Sequence, residues 1–283
     1  MSLGPSDLVL CTGTLPRAPF VDRCAAAAEA GFTGISLFLD DLKRARSEGC
    51  SDADVKAVLR DNGLSVAELD PLMNWMPGTL LAGDADAEGP GLFGYGERDF
   101  HAAAELVGAR SINAVLYAEE KLPSDAIAEA FAGVCDRARE HGLLVHIEFL
   151  PWTQVRDLQT ALAIVEEAGC ANGGVLLDAW HHFRSGAGND GLEPAAKQVL
   201  AIQLDDAPAE AEDDPVAETM QRRLLPGEGD ADVAEIVRRL DAGGCQAPVG
   251  VEVFSTELHR LPVREAAQRA ADATRAVLAA ARG

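Results

Sequence analysis

Short apolar runs alternate with longer amphipathic stretches along almost the whole chain. The runs at 8–12 (LVLCT), 34–39 (GISLFL), 64–69 (LSVAEL), 111–117 (SINAVLY), 143–149 (LLVHIEF), 174–178 (GVLLD), 199–205 (VLAIQLD) and 248–254 (PVGVEVF) predict buried strands. Between them, apolar residues recur at helical spacing near 19–30, 51–62, 97–109, 123–141, 155–168, 230–243 and 262–282. A weaker stretch at 184–198 predicts a short helix. Ser51 and Ser124 stand at N-cap positions, while Gly31, Gly63, Gly142 and Gly169 follow predicted helix ends. Strands that alternate singly with helices pair in parallel, and eight such units in 283 residues predict an α/β fold, a single (β/α)8 TIM barrel spanning 1–283. No linker divides the chain into separate domains.

Two connections are longer than usual. The segment 71–96 is rich in Gly, Pro and Asp, and 206–229 carries "APAEAEDDP" followed by "RRLLPGEGD". Both follow strands, so both fall on the face where barrels place their active sites.

Several strands end in polar residues where a core strand should still be apolar. Glu148 ends "VHIEF", Asp178 ends "VLLD", Gln203 and Asp205 lie in "AIQLD", and Glu252 lies in "VGVEVF". Buried carboxylates are costly unless paired or bound to a cation. Strand alternation puts His146 with Glu148, Leu176 with Asp178, Ala201 with Gln203 and Asp205, and Gly250 with Glu252 on the inward face. Four adjacent strands therefore bring metal-competent oxygens to one axis. His146 reads as a hydrogen-bonded core residue. His182 should face away from the site, and His101, His141 and His259 read as surface residues of helices or loops. Trp75, Trp152 and Trp180 follow strands and fit either barrel-mouth packing or stacking on a sugar face. Glu68 and Asp70 end the third strand, where they would bind substrate hydroxyls or cap a turn. "PGEG" reads as a turn in which Glu228 is structural or helps a lid.

The motifs "HIEF" (146–149), "LDAWH" (177–181), "IQLDDAP" (202–208), "RLLPGEGD" (223–230) and "VEVF" (251–254) come in the order seen in xylose isomerase-like barrels, which the chain resembles over its C-terminal half. That superfamily holds sugar and sugar-phosphate isomerases and epimerases. The N-terminal half matches it only in general pattern. The resemblance implies that Glu148, Asp178, Gln203 and Glu252 are metal ligands. Relatives carry His or Gln at the position of Gln203. It further implies that His181 and Arg223 bind substrate oxygens; Asp205 has a less certain counterpart.

An all-oxygen donor set favours Mn²⁺ or Mg²⁺ over Zn²⁺. Chelation of a hydroxy-carbonyl substrate acidifies the C–H between its oxygens, giving an enediolate. Carboxylates on either face, Glu148 and Glu252, would move the proton as catalytic groups. The expected activity is thus metal-dependent isomerisation or epimerisation of a small sugar or hydroxy-carbonyl compound. The alternative is a dehydratase of the inosose or 3-dehydroshikimate type; an abasic-site endonuclease and a non-catalytic sugar-binding barrel rank below it.

Charge narrows the partners. A formal net charge of −22 disfavours nucleic acid, and no apolar run is long enough to span a membrane. The six cysteines are scattered without a Cys-x-x-Cys pair, and the N-terminus lacks a basic n-region, so a cytoplasmic enzyme with reduced thiols is expected. No phosphate-binding glycine loop or nucleophile elbow is present. A homo-oligomer is compatible with this sequence.

Overall fold

A computed structural model describes residues 3–77, 94–118 and 120–283. Among them, eight parallel strands close into a barrel in chain order, each paired with its neighbours in sequence and the last with the first. They are β1 (Leu8–Leu10), β2 (Gly34–Phe38), β3 (Ser65–Leu72), β4 (Ser111–Val115), β5 (Leu144–Glu148), β6 (Gly173–Asp178), β7 (Val199–Leu204) and β8 (Val249–Val251). Every predicted strand is present.

The predicted helices form at Phe20–Glu29, Asp52–Asp61, Glu97–Val107, Ser124–Glu140, Leu158–Ala168, Val233–Ala242 and Val263–Arg282. The weak stretch at 184–198 holds Leu192–Ala195. Ser51 caps as expected: its Oγ accepts from Asp54 N at 3.2 Å while its own N–H donates to Asp54 Oδ2 at 2.8 Å. Ser124 does not. It is the first residue of its helix, and Pro123 takes the N-cap position without a side-chain bond. The chain turns left-handed at Gly31, Gly63, Gly142 and Gly169, where positive φ suits glycine.

Among the described residues, three α-helices were not expected. Leu39–Ser47 follows β2 directly, and its apolar stripe is only Leu39, Leu42 and Ala45 in an otherwise charged segment. Buried Asp41 anchors it, accepting from Phe38 N, Thr12 Oγ1, Arg23 Nη1 and Arg44 Nη2. Ala179–Arg184 grows from the end of β6, and Pro215–Gln221 lies within the long 206–229 connection. Most of the other long connection, 78–93 of 71–96, lies outside the described residues.

The apolar core sits between strands and helices, with Val145, Ile147, Val175 and Leu177 facing outward into it. Inside the barrel the only apolar cluster of note among the described residues is small: Val9, Cys11 and Ala67, near Leu3. The rest of the interior is polar and buried, including Ser36, Glu68, Asp70, Ser111, Asn113, His146, Glu148, Gln203 and Glu252. A barrel filled with branched aliphatics gains burial energy from its interior; this one has given that up around a site.

Candidate active site

Strand register builds the site. Glu148 on β5 lies beside Leu176 on β6, Asp178 beside Gln203 on β7, and Gln203 beside Gly250 on β8. Inward residues of four neighbouring strands therefore step around one axis, and the chain runs on from Gly250 through Val251 to Glu252. Gly13 matters here because a Cβ on it would stand 2.5 Å from the Phe254 ring and 2.9 Å from Glu252 Cγ. Glycine at 13 leaves room for both side chains.

The carboxylates of Glu148 and Asp178 and the His181 ring offer ligand atoms all within 4.8 Å of one another. Asp178 also answers for its own local structure: Oδ1 accepts from His181 N at 2.7 Å, capping the helix Ala179–Arg184. That turn is what carries His181 back over the site. Asp178 Oδ2 receives Arg223 Nη1 at 2.6 Å, and the same nitrogen reaches Asp205 Oδ2 at 2.6 Å.

Arg223 is held from both sides. Its backbone N–H donates to Phe254 O at 3.0 Å, and its neighbour Leu224 exchanges backbone bonds with Asp206. Asp206 fastens the following turn, accepting from Gly227 N and Ala231 N. Nε and Nη2 of Arg223 both donate to Thr219 Oγ1, at 3.1 and 2.8 Å. Nη2 also lies 3.3 Å from His181 Nε2. The guanidinium is buried with every nitrogen engaged by protein, through contacts to Thr219, Asp178, Asp205 and His181.

His181 Nε2 stands between Arg223 Nη2 and the Glu148 carboxyl, whose Oε1 is 3.5 Å away. With Nε2 accepting from the guanidinium, which only donates, the proton is assigned to Nδ1. Burial pushes His181 down to about 4, with Asp178 opposing and Arg223 assisting, so the ring is neutral at pH 7. Its Nδ1 is buried without a partner.

Two acceptors in the interior are also without partners: Gln203 Oε1 and Glu252 Oε1. Glu148 and Glu252 are both pushed well above the usual carboxylate range, first by burial and then by neighbouring acids, Asp70 foremost in each case. Partnerless acceptors among crowded acids fit a divalent cation, which would satisfy the oxygens and offset the repulsion. Glu148, Asp178 and His181 bring ligand atoms within 4.8 Å of one another, and Gln203 Oε1 and Glu252 Oε1 add unpartnered acceptors to the same interior.

A deeper group supports these residues. Asn113 Nδ2 donates to Asp70 Oδ1 at 2.8 Å and to Glu148 Oε2 at 2.7 Å. Asn113 Oδ1 must then accept from His146 Nδ1, 3.2 Å away. Burial drives His146 down to about 3, so it is neutral and its Nε2 is an acceptor. Ser111 Oγ, at 3.0 Å from that nitrogen, donates instead to Ala67 O. Glu68 Oε2 lies 3.3 Å from it, and burial with Asp70 nearby raises Glu68 to about 8. The contact is therefore a hydrogen bond from a protonated carboxyl to a neutral imidazole, not an ion pair.

The expected core role of His146 stands, and His182 turns away to Asn189 Oδ1 at 3.0 Å. His101 is buried, contrary to expectation, because its ring stacks on His141 at 4.2 Å. Trp152 and Trp180 line the mouth around His181, edge-on to its ring, whereas Trp75 packs into the core against Phe131. Asn113 escaped the sequence reading. Its signal was there: Ser111 and Asn113 are polar at period two in an apolar strand, and so point inward with Glu68 and Asp70 of β3.

A family model described as the xylose isomerase-like TIM barrel matches residues 24–277. Over 260 residues the chain is 29% identical to a 3-dehydroshikimate dehydratase of Pseudomonas aeruginosa, covering 90% of this chain and 38% of that protein. Over 167 residues it is 30% identical to an inosose isomerase of Halalkalibacterium halodurans, covering 56% of this chain and 58% of the relative. The matches thus span less than two thirds of either relative. Among solved structures, one described as IOLI protein with a binding zinc atom superimposes with a TM-score of 0.82 at 21% identity, over 96% of this chain and 98% of that one. An L-ribulose 3-epimerase does so with a TM-score of 0.72 at 18% identity, over 99% and 96%. At such identities these structures speak for the fold alone.

Proposed function

This chain belongs to the xylose isomerase-like TIM barrel family, and on that premise we propose that it is a divalent-metal-dependent isomerase or epimerase of a small sugar or related hydroxy-carbonyl compound. The observation that carries the reading is the pair of partnerless buried acceptors, Gln203 Oε1 and Glu252 Oε1, facing an interior that already holds Glu148 and Asp178. These four residues are the proposed ligands. All offer oxygen, which suits Mn²⁺ or Mg²⁺ better than Zn²⁺. A bound divalent ion would supply the positive charge that favours loss of a proton beside a carbonyl.

The chain's own residues do the rest. Asn113 fixes Glu148 at Oε2, and Glu252 faces the same interior from a strand farther round the barrel. One carboxylate takes the proton from the substrate carbon and the other returns one. Return to the opposite face of that carbon gives an epimer; return to the neighbouring carbon, with the hydroxyl proton passing to the former carbonyl oxygen, gives an aldose–ketose isomer. His181 offers its Nδ1–H to a substrate oxygen. Arg223 keeps Asp178, Asp205 and His181 in register without touching substrate.

A second reading, a dehydratase, is favoured by one observation: the 3-dehydroshikimate dehydratase match extends over 90% of this chain. It would use the same first proton removal, followed by loss of a β-hydroxyl. One experiment separates the two. Inososes, ketoses and 3-dehydroshikimate are incubated with Mn²⁺-loaded protein in D₂O and followed by NMR and ultraviolet absorption. Solvent deuterium in an isomeric product supports isomerisation or epimerisation. Water loss with a new conjugated chromophore supports the dehydratase, and no turnover of any of them with Mn²⁺ or Mg²⁺ sinks both.

A further inference from the structure

Resting on the proposed metal reading, we propose that Glu68 is a positioning residue: it selects which end of the Gln203 amide faces the metal site. The two ends of a glutamine amide are nearly the same size and opposite in function. The oxygen binds a cation, whereas the NH₂ repels one. A ligand glutamine therefore needs something that tells the ends apart, a demand that a carboxylate ligand does not make.

Glu68 meets it. Gln203 Nε2 donates to Glu68 Oε1 at 3.1 Å, across the barrel from β7 to β3, and Gln203 Oε1 is left buried and without a partner. With the amide turned over, Gln203 Oε1 would meet Glu68 Oε1 instead, acceptor against acceptor at hydrogen-bond distance. That orientation loses a buried hydrogen bond and adds a repulsion. Glu68 Oε1 accepts when the carboxyl is ionised, and also when its proton sits on Oε2 toward His146 Nε2.

The surroundings hold Glu68 to this task. Its Oε2 lies 3.3 Å from His146 Nε2, and Cys11 Sγ approaches its Oε1 at 3.9 Å. His146 is fixed in turn through Nδ1 by Asn113. Gln203 can cross the interior because its neighbour on β8 is Gly250. A Cβ there would stand 2.7 Å from Ile202 O and 2.9 Å from Cys11 Sγ, and within 3.6 Å of Gln203 Cγ. The same network thus sets the ends of two ligands: Asn113 takes one oxygen of Glu148, and Glu68 takes the nitrogen of Gln203.

The test is a double-mutant cycle read by Mn²⁺ affinity, measured by calorimetry on apo protein, with folding checked by circular dichroism. Glu68→Met removes the acceptor at similar length, and Gln203→Glu makes both ends of the ligand oxygen. Outer partners of metal ligands are typically worth ~10–100-fold in affinity. Glu68→Met in the parent should weaken Mn²⁺ by at least ~10-fold on that scale. In the Gln203→Glu background the same substitution should change affinity by less than ~2-fold, because no orientation remains to select. Equal losses in the two backgrounds would make Glu68 a merely structural residue and overturn the proposal. So would unchanged affinity in parent Glu68→Met. Failure of the parent protein itself to bind Mn²⁺ would instead bring down the metal reading on which the proposal stands.

Discussion

In the deeper level of the barrel interior, Glu68, Ser111, Asn113 and His146 satisfy one another and the adjacent backbone. One level nearer the mouth, Gln203 Oε1, Glu252 Oε1 and His181 Nδ1 are buried without partners. Both levels are polar and both are shut away from water. The difference is that the deeper one is closed as built, whereas the upper one is complete only with something added. Buried polar groups without partners are destabilising, so the upper level reads as function and the lower as the frame that aims it. Gln203 belongs to both, with its nitrogen turned to the frame and its oxygen to the site.

Arg223 is the sharpest place to break that division. It is the single cation balancing Asp178 and Asp205 in the upper level among the described residues. Arg223→Met should lower unfolding free energy by about 3–5 kcal/mol, the usual result of leaving buried charge uncompensated. Urea denaturation measures it. A loss below about 1 kcal/mol would place Arg223 with the weak surface pairs.

Next in size are the two carboxylates. Glu148→Gln and Glu252→Gln preserve shape and one oxygen donor, so each should retain detectable metal while losing at least ~10²-fold in turnover. Near-normal rates in both metal-loaded variants would rule out two-base proton transfer. His181→Ala should lower turnover by at least ~10-fold, for loss of a charge-orienting hydrogen bond, with metal content close to the parent's. A metal loss matching that of Asp178→Ala would move His181 into the ligand set.

The smallest effect is on pH dependence. Glu68, raised to about 8, and Asp70, raised to about 6, hold protons in the fold that they would lose when unfolded. Their stabilisation is complete below the unfolded carboxyl range near ~4 and disappears as pH rises through those folded values. His146 and His181, lowered to about 3 and about 4, act oppositely: their contribution is full above ~6.5 and is lost as pH falls. From pH ~6.5 to ~8 only the acids among these groups contribute slope, so the metal-free melting temperature should decline. Because bound metal displaces protons from raised carboxyls, Mn²⁺ should restore more of it at pH ~8 than at ~6. Thermal melts with and without chelator provide the check, and a rise in metal-free stability over this window would contradict the assignment.

The barrel was legible in the sequence because each strand is a short, mainly apolar run set between helical patterns. The residues expected to form the site cluster at four strand ends, where a carboxylate or amide interrupts such a run. The frame was harder to read. Asn113 is one of two polar residues within SINAV, and its importance comes from β3 and β5, which only the closed barrel places beside it. Arg223 was found, but how it is held was not legible: its loop is pinned by Asp206 and its guanidinium by Thr219, partners remote or unremarkable in sequence. The helix Leu39–Ser47 escaped because its stability rests on one buried aspartate network and not on a wide apolar stripe.

A crystal structure of the Mn²⁺-loaded protein, with anomalous scattering to locate the ion, tests the central claim most directly. The predicted result is one ion bound by oxygens of Glu148, Asp178, Gln203 and Glu252 at ~2.0–2.3 Å, the range for such ligands, with Gln203 Nε2 still on Glu68. An ion seated between Glu148, Asp178 and His181 instead, with Gln203 turned away, would contradict it.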